Sequence, residues 1–152
     1  MHFSRMDQTR LLETALHLTH STGWRADVVA WGIYDAPDGD LLGVAVFQNM
    51  DVNGAEFHFG LAPGRRLTRG IIESLIAMAT HPRGMNLPRL FAHIAADNRA
   101  AQAAALKCGA SFEYRIRGGL RGGRDAIVMV LERGDALQRT ADDATDPAVR
   151  GV

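Results

Sequence analysis

The chain of 152 residues is 47% hydrophobic and 22% charged, a globular composition that fits one domain around one core and excludes a disordered or fibrous chain. Seventeen Lys and Arg offset seventeen Asp and Glu, so no overall field draws the protein to nucleic acid or anionic lipid, and no apolar run reaches the length of a membrane span. A single cysteine, Cys108, excludes an internal disulfide and a cysteine-rich metal framework and fits a reducing compartment.

The first residues, Met1-His2-Phe3-Ser4-Arg5-Met6-Asp7, lack the apolar run of a signal peptide, so the expected location is the cytoplasm. From Gln8 to Thr19, Leu11, Leu12, Ala15, Leu16 and Leu18 recur at helical spacing, with Asp7 as N-cap and Gly23 beyond the end. Val28 to Tyr34 and Leu41 to Phe47 are β-rich runs joined by Ala36-Pro37-Asp38-Gly39-Asp40, a turn sequence, and predict a hairpin. Asn53-Gly54 predicts a second tight turn leading to a third strand, Glu56 to Leu61. Leu67, Ile71, Leu75, Met78 and Ala79 then share a helical stripe that ends before Pro82. Arg89 to Ala95 reads as a short strand, Asn98 to Cys108 as an alanine-rich helix closed by Gly109, residues 111–118 as extended, and Ile127 to Leu131 as a final strand.

This order predicts an α/β (α+β) fold: a mixed, mostly antiparallel central sheet with helices on both faces. One domain is expected over residues 1–133, and a flexible tail over 134–152, where three Asp follow Thr140 and no core face is evident. The second helix returns the chain from the third meander strand to the strand at Arg89, a crossover that predicts parallel neighbours. Its N-terminus presents unpaired N–H groups and a positive dipole end, as pyrophosphate binding requires, and Arg65, Arg66 and Arg69 add charge.

The segments from Phe59 to Ile71 and from Ala95 to Phe112 resemble the GNAT superfamily of acetyl-coenzyme A-dependent N-acetyltransferases. Phe59-Gly60-Leu61-Ala62-Pro63-Gly64-Arg65-Arg66-Leu67-Thr68-Arg69-Gly70-Ile71 is similar to the family's fourth strand, pyrophosphate loop and third-helix start. Ala95-Ala96-Asp97-Asn98-Arg99-Ala100-Ala101, continuing through Leu106-Lys107-Cys108-Gly109-Ala110-Ser111-Phe112, is similar to its fifth strand, its asparagine, its fourth helix and the glycine that ends it. The resemblance spans roughly Leu11 to Glu132 and implies acetyl-CoA as cosubstrate, held by Leu61, Arg65, Arg66, Leu67, Thr68, Arg69, Gly70, Ile71 and Asn98. The family's loop carries two small positions, usually glycines. Aligned on Gly70, this chain has Thr68 at the first of them; aligned on Pro63, it has Arg69 and Ile71 there. Such side chains either obstruct phosphate or, for Thr68 and Arg69, replace amide contacts with hydroxyl and charged donors. The tyrosine that many members place seven residues after the asparagine, to reprotonate the coenzyme thiolate, is Ala105 here.

Acetyl transfer to an amine needs a base. Strand alternation sends Glu56, His58 and Gly60 to one face, and by resemblance this strand borders the acetyl group. His58 is the candidate base and Glu56 its orienting partner or a site for a cationic amine; the alternative is a solvated face of ordinary polar residues. Tyr114 is a candidate substitute for the missing tyrosine, with packing as its alternative role, and Asn98 also suits a helix cap. His93 reads as a core or edge histidine, and Trp24 and Trp31 as packing residues. His17, His20 and His81 lack metal-site spacing, so no metal is predicted. Arg115, Arg117, Arg121 and Arg124 read as a basic hairpin facing coenzyme, an acidic acceptor or solvent, and nucleic acid is not the expected partner.

The reading is an N-acetyltransferase acting on a primary amine of a small molecule or protein, with a homodimer compatible and no membrane association expected. The alternative is a catalytically inactive GNAT-like binding or structural module.

Overall fold

The computed structural model describes residues 1–134, so the tail expected over 134–152 lies, apart from Gly134, outside the described residues. The chain forms two compact units, Met1–Ala77 and a second beginning at Met78.

In the first unit, β1 (His2–Ser4), α1 (Gln8–Thr19), β2 (Val29–Tyr34), β3 (Leu41–Asp51) and β4 (Gly54–Leu61) precede α2 (Arg69–Thr80). The strands lie in the order β1-β2-β3-β4, and every neighbouring pair is antiparallel. Helix α1 starts where the sequence predicts: the Arg10 N–H donates to Asp7 Oδ1 at 3.1 Å. It ends at His20, whose left-handed φ of 54° breaks the helix three residues before Gly23. Leu11 and Ala15 bury against Ala30, Val44 and Val46, which fixes the face of the sheet that α1 covers. Gly60 permits the close approach: a Cβ there would lie 2.5 Å from Leu18 Cβ.

The three-residue strand β1 is too short to show a period in sequence. Its pairing with β2 stops at Ser4↔Gly32. Beyond it, the Gln8 side chain replaces a strand, donating to the Ala30 carbonyl at 2.8 Å and accepting the Ala30 N–H at 2.9 Å. The turn expected at Asn53-Gly54 is displaced by one residue. Asp51 pairs with Gly54, leaving Val52 and Asn53 in the turn, because Asp51 Oδ1 accepts the Asn53 N–H at 2.7 Å and fixes the bend one position earlier.

The second unit contains the end of α2, β5 (Arg89–Ala95), α3 (Arg99–Lys107), β6 (Ser111–Ile116), a 3-10 turn at Arg121–Gly123 and β7 (Ala126–Glu132). Its strand order is β5-β7-β6, again antiparallel. Val128, Met129, Val130 and Leu131 are buried. After α2 the chain reverses tightly: the Met85 N–H donates to the Met78 carbonyl at 2.8 Å and the Gly84 N–H to His81 O at 2.8 Å. A Cβ on Gly84 would fall 2.0 Å from Met78 O.

The glycine-rich connection between β6 and β7 is tied down by one carboxylate. Asp125 accepts the Gly118 N–H at 2.9 Å and Arg115 Nε and Nη2 at 2.8 and 2.6 Å. These contacts, the Gly118 N–H first and the Arg115 guanidinium second, hold its carboxyl below the ordinary aspartate value. A carboxyl lowered by folding contributes stability above its unfolded pKa and loses it as pH falls through the folded one. The connection is therefore expected to stay docked through mild acid. An NMR acid titration should show the Asp125 carboxyl carbon and the Gly118 amide moving together only below about pH 3.9, and Asp125→Asn should abolish that joint transition. Separate movement, or movement at higher pH, contradicts the assignment.

Candidate active site

Strands β3 and β4 assemble a buried polar cluster on the face that α1 covers. Their register sets Gln48 opposite Glu56 and Val46 opposite His58, so the two acid–base candidates point with Val44 and Val46 rather than to open solvent. Glu56 is 9% and Gln48 7% exposed. At this depth a carboxylate must be hydrogen-bonded. Asn49 Nδ2 donates to Glu56 Oε2 at 2.5 Å, and His58 Nε2 lies 2.9 Å from Oε1.

Asn49 reaches Glu56 because its backbone is left-handed, with φ of 50°, which Asn tolerates better than most residues. The conformation is held from outside the strand. Asp27, in the segment after α1, accepts the Asn49 N–H at 3.1 Å and the Met50 N–H at 2.8 Å. The same segment places Trp24 edge-on to His58, with ring centroids 5.3 Å apart at 74°, and Trp24 Nε1 donates to the Leu12 carbonyl of α1 at 3.2 Å. The imidazole is thus walled by an indole anchored to the helix and remains 21% exposed. Among the described residues no hydrogen bond reaches its Nδ1. A carboxylate on one ring nitrogen orients the imidazole and frees the other nitrogen, the arrangement a general base requires.

The phosphate-loop candidates lie beyond the end of β4. The Ala62 N–H continues the ladder to Leu42 O at 2.9 Å, and the chain then turns through Pro63-Gly64, with Gly64 at φ 76° and the Arg65 N–H returning to Ala62 O at 3.0 Å. This is the chemistry of a type II turn. Thr68 caps α2, its Oγ1 accepting the Ile71 N–H at 3.2 Å, and Ile71 itself is buried. Arg65 pairs with Asp40 at 2.9 Å and Arg69 with Glu73 at 2.6 Å, whereas exposed Arg66 makes no ion pair among the described residues. Leu61 and Leu67 are half-buried, and Gly70 is exposed at the first turn of α2.

In the second unit, Asn98 Oδ1 accepts the Ala101 N–H at 3.1 Å and caps α3. Tyr114 lies on β6, 51% exposed, in a shallow groove with Arg89, Phe91, Glu113, Val128 and Val130. It lies on the expected extended segment and outside the core. Among the described residues no cluster of three or more His, Cys, Asp or Glu is placed to hold a metal, and no helix is long and apolar enough to cross a membrane.

The family model for the acetyltransferase (GNAT) domain matches residues 1–111, and the chain belongs to that family. By class it is an N-acetyltransferase, an enzyme that moves an acetyl group to an amine. Spermidine/spermine N-acetyltransferase SpeG from Vibrio cholerae, in complex with manganese ions, has a similar fold: TM-score 0.73, 17% identity, covering 91% of this chain and 96% of that one. Mutant forms of the same Vibrio cholerae enzyme give a TM-score of 0.74 at 17% identity over 91% and 98%. A dodecameric spermidine N-acetyltransferase from that organism, in an intermediate state, gives 0.64 at 21% identity over 76% and 70%. No protein of curated function matches the sequence significantly.

Proposed function

We propose that this enzyme transfers acetyl from acetyl-coenzyme A to a primary amine of a small molecule or protein in the cytoplasm, with His58 as the base and Glu56 as its orienting carboxylate. The observation that carries this reading is the buried Glu56–His58 contact at 2.9 Å on β4, in a chain of acetyltransferase family. Acetyl-coenzyme A supplies the thioester carbonyl that the amine attacks.

The loop entering α2 fits the anionic end of that cosubstrate. Gly64 faces open space, and the atoms nearest a Cβ on Gly70 are Met1 Cε at 3.5 Å and Thr68 Oγ1 at 3.9 Å, so backbone can approach phosphate there. Thr68 spends its acceptor on Ile71 but keeps a hydroxyl hydrogen to donate, and Arg65, Arg66 and Arg69 supply charge; Leu61, Leu67 and Ile71 position this backbone. Asn98 is a second contact candidate at the start of α3, and Tyr114 is the phenol to test for returning a proton to the departing thiolate. Spermidine and spermine, the acceptors named for the Vibrio cholerae structures, are the first amines to screen, and solution mass should be measured for a homodimer.

Calorimetric titration with acetyl-coenzyme A tests the cosubstrate site. The intact protein is expected to bind at micromolar affinity, and the combined Arg65→Ala, Arg66→Ala, Arg69→Ala variant to lose at least about tenfold, as expected from removing charge-assisted contacts. Thr68 in one register, or Arg69 and Ile71 in the other, at the family's small positions, and Ala105 at its tyrosine, favour an inactive module as the second reading. Absence of binding by the intact protein would establish that reading instead.

A further inference from the structure

Gln48 makes a contact that a simple Glu–His base pair does not need. Its Nε2 lies 3.2 Å from His58 Nε2, the same ring atom that lies 2.9 Å from Glu56 Oε1. The orientation of the Gln48 amide is fixed: its Oε1 accepts the Arg25 N–H at 2.9 Å, so the group aimed at His58 is the NH2, a donor only. A ring nitrogen carries either a hydrogen or a lone pair. With a hydrogen, Nε2 donates to the Glu56 carboxylate and confronts the Gln48 donor; with a lone pair, it accepts from Gln48 and requires the proton to sit on Glu56. The two contacts are alternatives, and the cluster has a partner ready for each.

We propose that Gln48 is a positioning residue that makes the imidazole of His58 a proton relay, entered at Nδ1 and left at Nε2 toward Glu56. The proposal rests on the reading of His58 as the base. In the form that accepts the amine's proton, Nε2–H points to the Glu56 carboxylate and Nδ1 holds the free lone pair. As the amine nitrogen bonds to the thioester carbonyl carbon and the C–S bond breaks, the amine's surplus proton goes to Nδ1. The Nε2 proton then moves to Glu56 Oε1, and the Gln48 N–H, sharing the Nε2 lone pair with the new Glu56 O–H, stabilises it in its deprotonated form, so the ring ends neutral. Solvent protonates the departing thiolate, and reversal of the relay to solvent resets the pair. Without Gln48, only the new Glu56 O–H faces the Nε2 lone pair and hands its proton straight back, so the relay stops at imidazolium.

The test reads ring protonation directly, from the 15N shifts of His58, where protonated and unprotonated nitrogens resonate far apart. In the intact protein both nitrogens are expected at intermediate shifts, showing exchange between Nε2–H beside ionised Glu56 and Nδ1–H beside protonated Glu56, the added proton coming from solvent. Gln48→Met removes the donor at similar volume, and Gln48→Glu keeps the Arg25 contact while turning an acceptor toward Nε2. Both variants are expected to show Nε2 fully protonated, with kcat about tenfold lower and KM unchanged, the pattern of a group that acts only along the reaction path. Gln48→Glu keeps the test open if Gln48→Met does not fold. Identical ring shifts in the intact protein and a folded variant overturn the relay while leaving the base reading to His58→Ala. Full turnover by His58→Ala overturns both.

Discussion

Replacing His58 with alanine is expected to lower turnover of acetyl-coenzyme A with an amine acceptor by about 10²- to 10⁴-fold, the usual contribution of a positioned general base. Calorimetric affinity for acetyl-coenzyme A is expected to stay as it was, because the coenzyme candidates lie at the end of β4, on the loop and first turn of α2 and at the start of α3, outside the polar cluster. Glu56→Gln should reduce turnover in the same direction. It keeps the volume and removes the charge, so the orienting contact to Nε2 at 2.9 Å loses its anionic acceptor. Steady-state kinetics with the two variants, next to thermal melting to confirm folding, makes the check. Unchanged turnover in His58→Ala would remove the proposed base, whatever the coenzyme affinity.

The second large effect concerns stability. Gly84→Ala would push a methyl to 2.0 Å from the Met78 carbonyl oxygen, and that oxygen has nowhere to retreat because it accepts the Met85 N–H at 2.8 Å. The clash is with backbone, so no rotamer change relieves it. A cost of about 3 kcal/mol, the upper end of overpacking penalties, corresponds to a fall in Tm on the order of 6–12 °C for a chain of this size. Calorimetric melting of the two proteins decides it, and an unchanged Tm would mean that the turn after α2 can open without penalty.

The sequence read well where one element repeats its own period. Gln8–Thr19 and Arg89–Ala95 stand where the sequence puts them, because each buries the apolar residues it supplies: Leu11 and Ala15 on the one, and Leu90, Ile94 and Ala95 on the other. It read poorly where a side chain overrules the backbone pattern. Asp51 moves the hairpin turn off Asn53-Gly54, and His20 takes a left-handed conformation ahead of Gly23. The site was legible in part for the same reason. Alternation puts Glu56 and His58 on one strand face, but only the β3–β4 register brings Gln48 across from Glu56. Asn49 joins them through a left-handed residue that no period encodes, fixed by Asp27 from a separate segment. Trp24, which reads in sequence as a packing residue, forms the wall of the imidazole. Asp27 carried no signal of its role, since its partners lie more than twenty residues away.

The Gln8 amide that occupies both backbone groups of Ala30 also bears on how this protein behaves in a crowded solution. Strand β2 loses its neighbour β1 after Gly32, and an uncovered stretch of strand is a template on which another chain can add itself. One glutamine closes that template at its most buried position, using the same donor and acceptor that an incoming strand would have used. The side chain that finishes the ladder thus also occupies the groups by which a further copy of the chain would add a strand.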